Sequence, residues 1–255
     1  MSPVPNASRP TAIPPLRDVR AELRALTQPD KARFLAGYFK TGKGQYGEGD
    51  RFLGIVVPQV RKIARQFRLL ALPDCRALLQ SPYNEERLLA LLVMVQHYAS
   101  GNPAEEEAVF HQYLECRDRV NNWNLVDTSA AYIVGPHLLQ RDRSLLYTLV
   151  ESDGLWDRRI AMLASFAFIR NGEFVDTLQL AERLLNDPHD LMHKACGWML
   201  REVGNRDAAT LEGFLAQHHA AMPRTMLRYA IEKFEPEVRK AMLTGRHWQR
   251  QMLSK

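Results

Sequence analysis

The stretch Asn84-Glu-Glu-Arg-Leu-Leu-Ala-Leu-Leu-Val-Met-Val-Gln-His-Tyr98 decides the fold class of this chain. Its apolar residues recur at the spacing of a helix face, as in Leu88, Leu89, Leu91, Leu92 and Val95. The pattern predicts an amphipathic helix, and segments of the same kind follow one another along most of the sequence. Only Gly54-Ile-Val-Val57 has local strand character, and it is too short to build a sheet.

The predicted helices are joined by short turns, and several begin near a proline, which the first turn of a helix tolerates. They cover Leu16–Thr27, Pro29–Phe39, Pro58–Phe67, Pro73–Gln80, Asn84–Tyr98, Pro103–Cys116, Trp123–Leu139, Ser144–Glu151, Trp156–Ile169, Glu173–Leu185, Pro188–Val203, Asp207–His218, Pro223–Lys233 and Pro236–Leu243. Uniform helicity with elements of this length predicts an all-α fold, an α-solenoid of paired helices with one concave face. A compact helical bundle without repeats is the alternative.

The ends of the chain differ in composition from its middle. Five of the first fifteen residues are proline, so we expect a disordered arm over residues 1–15, a single helical domain over 16–245 and a basic tail over 246–255. The first fifteen residues do not have the pattern of a secretory signal, and no run of 18 uncharged apolar residues exists. We therefore expect neither a secretory signal nor a membrane-spanning segment. Cys75, Cys116 and Cys196 are widely spaced and predict reduced thiols, which favours a cytoplasmic protein.

The net charge of +5 is unevenly distributed. Residues 220–255 hold eight lysines and arginines against three acids, and residues 57–68 hold four basic residues and no acid. Arg61, Arg65 and Arg68 are spaced to fall on one face of a helix and could track a phosphate backbone. Solvated helix faces are the simpler explanation of any single charge.

A glycine-rich loop separates two of the predicted helices. Residues 40–50 read Lys40-Thr-Gly-Lys-Gly-Gln-Tyr-Gly-Glu-Gly-Asp50 and include four glycines. The loop lacks the preceding strand and the Gly-Lys-Ser/Thr ending of a nucleotide-binding P-loop. Contact with a phosphodiester backbone is the more plausible role.

Three predicted helices carry residues suited to binding a positively charged group that is part of a negatively charged polymer. Trp123 and Asp127 lie one helical turn apart, and an indole face beside a carboxylate attracts a flat cation. Arg159 has a planar guanidinium group, which can bind a phosphate through two parallel hydrogen bonds. Lys194, Trp198 and Arg201 form a basic and aromatic stripe on a third helix. Packing roles for the two tryptophans and a surface ion pair for the arginine remain the alternatives.

His189 and His193 have the spacing of a zinc pair, but no third ligand is spaced near them. We therefore expect no metal and no cofactor. The sequence also contains no GxSxG motif, no HExxH motif and no Cys–His pair that we could justify as a nucleophilic site. Any chemistry is expected to be electrostatic.

Several separate motifs, in matching order, resemble the AlkD-like DNA alkylation-repair glycosylases, which are built of HEAT-like helical repeats. The motifs are Phe52-Leu-Gly-Ile-Val-Val-Pro-Gln-Val-Arg61, Asn122-Trp-Asn-Leu-Val-Asp127, Leu155-Trp-Asp-Arg-Arg-Ile-Ala161 and Lys194-Ala-Cys-Gly-Trp-Met-Leu-Arg-Glu202. The resemblance runs from about Tyr38 to Val203. The chain departs from the best-known members in its longer glycine-rich segment and in Asn124, where an acidic residue is common.

The resemblance implies a DNA-alkylpurine N-glycosylase that removes N3- or N7-alkylated purines from duplex DNA. It places Trp123, Asp127, Arg159 and Trp198 on the family's active-site positions. We expect the DNA contacts to come from the basic residues above and one exposed aromatic residue: Arg61, Arg65, Arg68, Lys194, Arg201 and Tyr38. We also expect a monomer, associated with the nucleoid when bound to DNA. A non-catalytic DNA-binding protein and a protein-interaction solenoid are the competing hypotheses.

Overall fold

The computed structural model describes residues 13–245 and residue 247. Most of the predicted N-terminal arm and all but one residue of the predicted C-terminal tail therefore lie outside the described residues. Within the described part, the chain forms sixteen α-helices and one short 3-10 helix, and its only β-type pairing is an isolated bridge between Arg51 and Tyr83. The predicted all-α class is confirmed. None of the described helices is long and apolar enough to cross a membrane.

The chain divides into two compact units, the first ending at Leu125 and the second beginning at Val126. The single domain expected over residues 16–245 stays a prediction. The first unit contains the helices α1 (Leu16–Ala25), α2 (Pro29–Tyr38), α3 (Val57–Gln66), α4 (Leu72–Leu79), α5 (Asn84–Ser100) and α6 (Pro103–Glu115), and the 3-10 helix Arg117–Arg119. Its core forms where α5 packs against α3, α4 and α6.

The boundary between the units falls within α7 (Trp123–Asp127). The second unit continues with α8 (Val134–Leu138), α9 (Ser144–Val150), α10 (Leu155–Ala164), α11 (Phe166–Arg170), α12 (Val175–Arg183), α13 (Asp190–Gly204), α14 (Ala208–His218), α15 (Arg224–Ala230) and α16 (Pro236–Leu243). In its core, α10 packs against α9 and α13, and α13 packs against α14 and α15. Gly197 allows the last contact, because a Cβ atom there would lie 2.5 Å from the Met226 carbonyl oxygen.

Two long helices predicted from the sequence are broken in the structure. The helix expected over Trp123–Leu139 is replaced by α7 and α8, with turns at residues 128–133. Pro136 explains the break, because a proline has no N–H to donate and is tolerated only in the first turn of a helix. A new helix therefore has to start just before it, at Val134.

The second break divides the helix expected over Trp156–Ile169 into α10 and α11 at Ser165. The buried Ser165 hydroxyl donates a hydrogen bond to the Met162 carbonyl at 2.7 Å and so competes with the helical bonding pattern. The remaining predicted helices begin and end within three residues of the observed ones.

A buried carboxylate organises the first unit. Asp50, at the end of the glycine-rich loop, forms an ion pair with Arg87 of α5, and both side chains are buried. The amide groups of Asn84 and Asn122 each donate to the same carboxylate at 3.0 Å. Asn122 in turn accepts a hydrogen bond from the backbone N–H of Trp123, the first residue of α7. The network therefore fixes both the loop and the start of α7.

A second carboxylate holds the extended segment before α3. Glu85 accepts hydrogen bonds from the backbone N–H groups of Leu53, Gly54 and Ile55 at 2.9, 2.9 and 3.2 Å. Burial raises the pKa of Glu85, and these hydrogen bonds oppose the shift. Gly54 is required here because its φ is +86° and a Cβ would lie 2.2 Å from the Gln28 carbonyl oxygen.

We predict that Asp50→Asn lowers the free energy of unfolding by about 3–5 kcal/mol, because it leaves the Arg87 guanidinium buried without its counter-charge. Asp30→Asn is the matched control, since Asp30 pairs with Arg33 on an exposed surface and should matter by less than about 1 kcal/mol. Urea denaturation of both variants measures the difference. Equal stabilities would mean that the Asp50 network does not support the fold.

Candidate active site

Asp127 and Arg159, two of the residues predicted from the sequence, meet in the second unit. The Arg159 guanidinium donates from Nε to Oδ1 and from Nη2 to Oδ2 of Asp127, at 2.8 and 2.9 Å. Its Nη1 donates to the Leu191 carbonyl oxygen of α13 at 2.6 Å. The Arg159 side chain is 6% exposed, whereas that of Asp127 is 18% exposed. The carboxylate is thus held in one orientation while part of it stays open to solvent.

This pairing makes Arg159 a buried partner of Asp127, whereas the sequence suggested a phosphate contact or a surface ion pair. Both bonds to Asp127 come from the edge of the guanidinium that would otherwise bind a phosphate in bidentate fashion. The phosphate contact expected of Arg159 stays a prediction. The Nε and Nη2 atoms that would make it are hydrogen-bonded to Asp127 in the structure. The two residues are 32 positions apart, so no local spacing could have revealed the pair.

Trp198 lies half-buried on α13. Its indole N–H donates to Glu202 Oε1 at 3.2 Å, one turn further along the helix. Its ring lies 6.3 Å from the Phe166 ring, with the two planes tilted by 46°. Sequence reasoning missed both partners, although the spacing of Trp198 and Glu202 on one helix was a readable signal. The tryptophan is therefore anchored at one edge rather than enclosed in the core.

The basic residues of the same helix are engaged in ion pairs. Lys194 Nζ lies 2.7 Å from Asp190 Oδ2, and this hydrogen bond is the main reason that the pKa of Asp190 is lowered. Arg201 pairs with Glu232 and lies 3.7 Å from Glu202. The DNA contacts predicted for Lys194 and Arg201 remain predictions, and DNA would have to compete with these carboxylates.

The two histidines considered as metal ligands have structural partners. His189 caps α13, because its Nδ1 accepts the backbone N–H of Leu191 at 3.1 Å. His193 Nε2 lies 2.6 Å from the Asp187 carbonyl oxygen. Burial lowers the pKa of His189. Over residues 13–245 and 247, no group of three or more histidine, cysteine or acidic side chains is placed to hold a metal ion.

In the first unit, Trp123 belongs to an aromatic cluster. Its ring stacks on Phe39 at 4.9 Å and meets the edge of Tyr38 at 6.1 Å. Phe39 stacks in turn on Phe52. Tyr38, the predicted DNA contact, is 56% exposed. Trp123 is half-buried. Part of its surface therefore packs against the protein, as the alternative interpretation of the sequence expected, and the rest is exposed.

The arginine row predicted for the first unit is only partly present. Arg61 and Arg65 lie one turn apart on α3, and both are exposed. The prediction that Arg68 extends this helical row is wrong, because α3 ends at Gln66 and Arg68 lies in the following turn. Among the described residues, neither Arg61 nor Arg65 has a carboxylate partner, so both guanidinium groups are available to an external anion.

Asn124, the residue after Trp123, is the position at which the sequence departs from the best-known relatives, and it has a structural role. It is buried, and its amide exchanges hydrogen bonds with Asn84 at 2.7 and 3.4 Å. Asn124 therefore joins the network around Asp50. Its side chain supports the position of α7 from the inside of the first unit.

A sequence model of the family described as “DNA alkylation repair enzyme” matches residues 19–234 of the chain. The chain belongs to this family. The match covers both units and includes every residue that we proposed for the site. The resemblance inferred from the sequence motifs is thereby confirmed at the level of the family.

Comparison with solved structures gives a consistent fold. A structure titled “Predicted DNA alkylation repair enzyme from Enterococcus faecalis” superimposes with a TM-score of 0.62 at 15% sequence identity. The match covers 82% of this chain and 97% of the other. At this identity the similarity establishes a shared helical fold. A comparison with curated proteins finds no match.

For a DNA alkylation repair protein, we predict that replacing Arg61 and Arg65 together with alanine weakens binding to duplex DNA. Each lost phosphate contact should reduce the slope of log affinity against log salt by about one unit, so the double variant should lose about two. The matched control is Arg33→Ala with Arg76→Ala, two exposed arginines of the same unit that are paired with Asp30 and Glu115. Identical salt slopes for the two double variants would mean that Arg61 and Arg65 are solvent-exposed residues that do not contact DNA phosphates.

Proposed function

We propose that the protein is a DNA glycosylase that hydrolyses the N-glycosidic bond of N3- or N7-alkylated purines in duplex DNA. The observation that carries the proposal is the Asp127 carboxylate, half-buried and held by Nε and Nη2 of a buried arginine, in a chain of the DNA alkylation repair enzyme family. Arg159 fixes the orientation of this carboxylate, and the part of it that stays exposed could face a positive charge on the substrate. Alkylated purines and the sugar that they leave behind both carry one.

The reaction needs little chemistry from the protein. Alkylation makes the purine cationic, so the electron pair of the bond from C1′ to the base nitrogen neutralises the departing base, and no general acid is required. The sugar becomes an oxocarbenium-like cation, as in other glycoside hydrolyses. A water oxygen then bonds to C1′ and releases one proton to solvent. The barrier is lowered by whatever stabilises the cationic sugar.

Asp127 is the residue suited to that role. Its charge is fixed in place before the reaction, so no reorganisation is needed when the positive charge develops on the sugar. Arg159 offsets part of the negative charge of Asp127, but it holds the carboxylate group in one orientation. The exposed part of Asp127 can face the sugar, and it can also orient the attacking water.

The aromatic residues would position the sugar and the base. Trp198 presents a half-buried indole whose edge is anchored by Glu202, and a ring face attracts cationic character. Trp123 precedes Asp127 by one helical turn in the sequence and would pack on the deoxyribose in the same way. We propose duplex DNA as the partner, a monomer as the active form, and a cytoplasmic location with nucleoid association on DNA. The reaction as proposed requires no metal or cofactor.

A non-catalytic DNA-binding protein is the second candidate. One observation favours it: both oxygens of Asp127 are already hydrogen-bonded to Arg159, which is also how a purely structural ion pair would look. A protein-interaction solenoid is the third candidate, and no specific contact of the described residues favours it. An excision assay separates the first two.

We predict that the wild-type protein releases free N7-methylguanine from duplex DNA and that Asp127→Asn slows release by about 100–1,000-fold. Asparagine keeps the shape of the side chain but removes the charge, and an electrostatic contribution of this kind is worth roughly 3–4 kcal/mol. Base release is measured under single-turnover conditions, with the melting temperature and DNA affinity of each variant determined in parallel.

Asp187→Asn is the matched control. Asp187 pairs with Arg158, the residue next to Arg159, and its side chain is buried. The Asp187→Asn variant should therefore lose stability as Asp127→Asn does, but it should still release the alkylated base. Equal rates for wild type and Asp127→Asn would remove Asp127 from the mechanism. If wild type binds duplex DNA but releases no base from any alkylpurine tested, the protein is the non-catalytic binder.

A further inference from the structure

Arg170, which the sequence analysis did not single out, lies between two aromatic side chains in the second unit. Its Cζ atom is 4.4 Å from the centre of the Phe166 ring and 5.0 Å from the centre of the Tyr132 ring. Its Nη2 also donates to the Tyr132 hydroxyl at 3.3 Å. Arg170 is the last residue of α11 and is exposed. Its guanidinium plane is thus held in position at the surface.

Comparison with similar arginines shows what is unusual about Arg170. The described part of the chain contains four arginines stacked on aromatic rings: Arg143, Arg170, Arg183 and Arg206. Three of them are neutralised by carboxylates, namely Glu173 and Asp176, Glu151, and Glu202. Within the described residues, Arg170 has no such partner.

The position of Arg170 relates it to the candidate site. The Phe166 ring beneath its guanidinium is the same ring that lies 6.3 Å from the indole of Trp198. The order of contacts is Trp198, Phe166, Arg170 and Tyr132. A ligand group bound at Arg170 would therefore sit one aromatic ring away from Trp198.

We propose that Arg170 binds a phosphodiester group of the DNA strand next to the nucleotide that contacts Trp198. Among the described residues the Arg170 guanidinium is hydrogen-bonded only through Nη2, to the Tyr132 hydroxyl. Its other N–H groups can still match phosphate oxygens in a bidentate geometry. Because the two rings already restrict the side chain, less conformational entropy is lost on binding. A stacked arginine with no carboxylate partner has the features of an anion-binding residue. The inference rests on the proposed function for its choice of DNA as the anion.

Binding of a short fluorescent, undamaged DNA duplex across a series of salt concentrations tests the proposal. Arg170→Ala should weaken binding by about 10-fold and reduce the log–log salt slope by about one unit. Arg170→Lys should keep most of the slope, because the charge remains, but should bind more weakly than wild type, because the fork and its stacking are lost. Tyr132→Phe keeps the ring and removes only the hydroxyl that orients Arg170, so it should have a smaller effect.

The matched control is Arg183→Ala. Arg183 is also stacked on a tyrosine, with its Cζ 5.3 Å from the Tyr147 ring centre, but it pairs with Glu151 at 2.7 Å. It should leave affinity and slope unchanged. The proposal is overturned if Arg170→Ala and Arg183→Ala behave alike while melting temperatures are preserved.

The same measurement distinguishes this proposal from the proposed enzymatic function. Undamaged duplex can be bound without excision, so a wild-type protein that binds DNA through Arg170 but releases no alkylated base would support the phosphate contact and contradict the glycosylase. A wild-type protein that shows no binding to duplex DNA at any salt concentration would overturn both.

Discussion

A guanidinium group can be removed from water only if an anion and hydrogen-bond acceptors replace the water, and this constraint governs the second unit. Arg159 meets it with the Asp127 carboxylate and the Leu191 carbonyl oxygen. Three segments are thereby tied together: the end of α7, the middle of α10 and the first turn of α13. The first unit obeys the same constraint through Asp50 and Arg87. The burial of each arginine thus fixes the position of a carboxylate, and in the second unit part of that carboxylate remains accessible.

The structure also separates the basic residues by their availability. Lys194 and Arg201 stand in the most suggestive sequence motif, yet both are engaged by carboxylates. Arg61 and Arg65 have none among the described residues, and Arg170 is additionally oriented by two rings. The number of lysines and arginines in a segment therefore gives little information about where a polyanion binds. Local neutralisation decides which charges can attract it.

Much of the fold could be predicted because it is encoded locally. Helical periodicity placed nearly every element, and α16 begins at Pro236 and ends at Leu243 as expected. The breaks within two helices were missed although Pro136 was a readable local signal. The pairing of Asp127 with Arg159 could not be read at all, because it joins residues that are distant in the sequence and depends on how α7, α10 and α13 pack.

The central claim is that Asp127 stabilises positive charge on the sugar. The most direct measurement compares the affinity of the protein for two duplexes, one with a cationic pyrrolidine in place of the target nucleotide and one with the neutral tetrahydrofuran analogue. The account predicts that wild type prefers the cationic analogue by about 100-fold, as expected for a transition-state mimic, and that Asp127→Asn loses this preference while binding the neutral duplex as before. Equal affinity of the wild-type protein for the two duplexes would contradict the account.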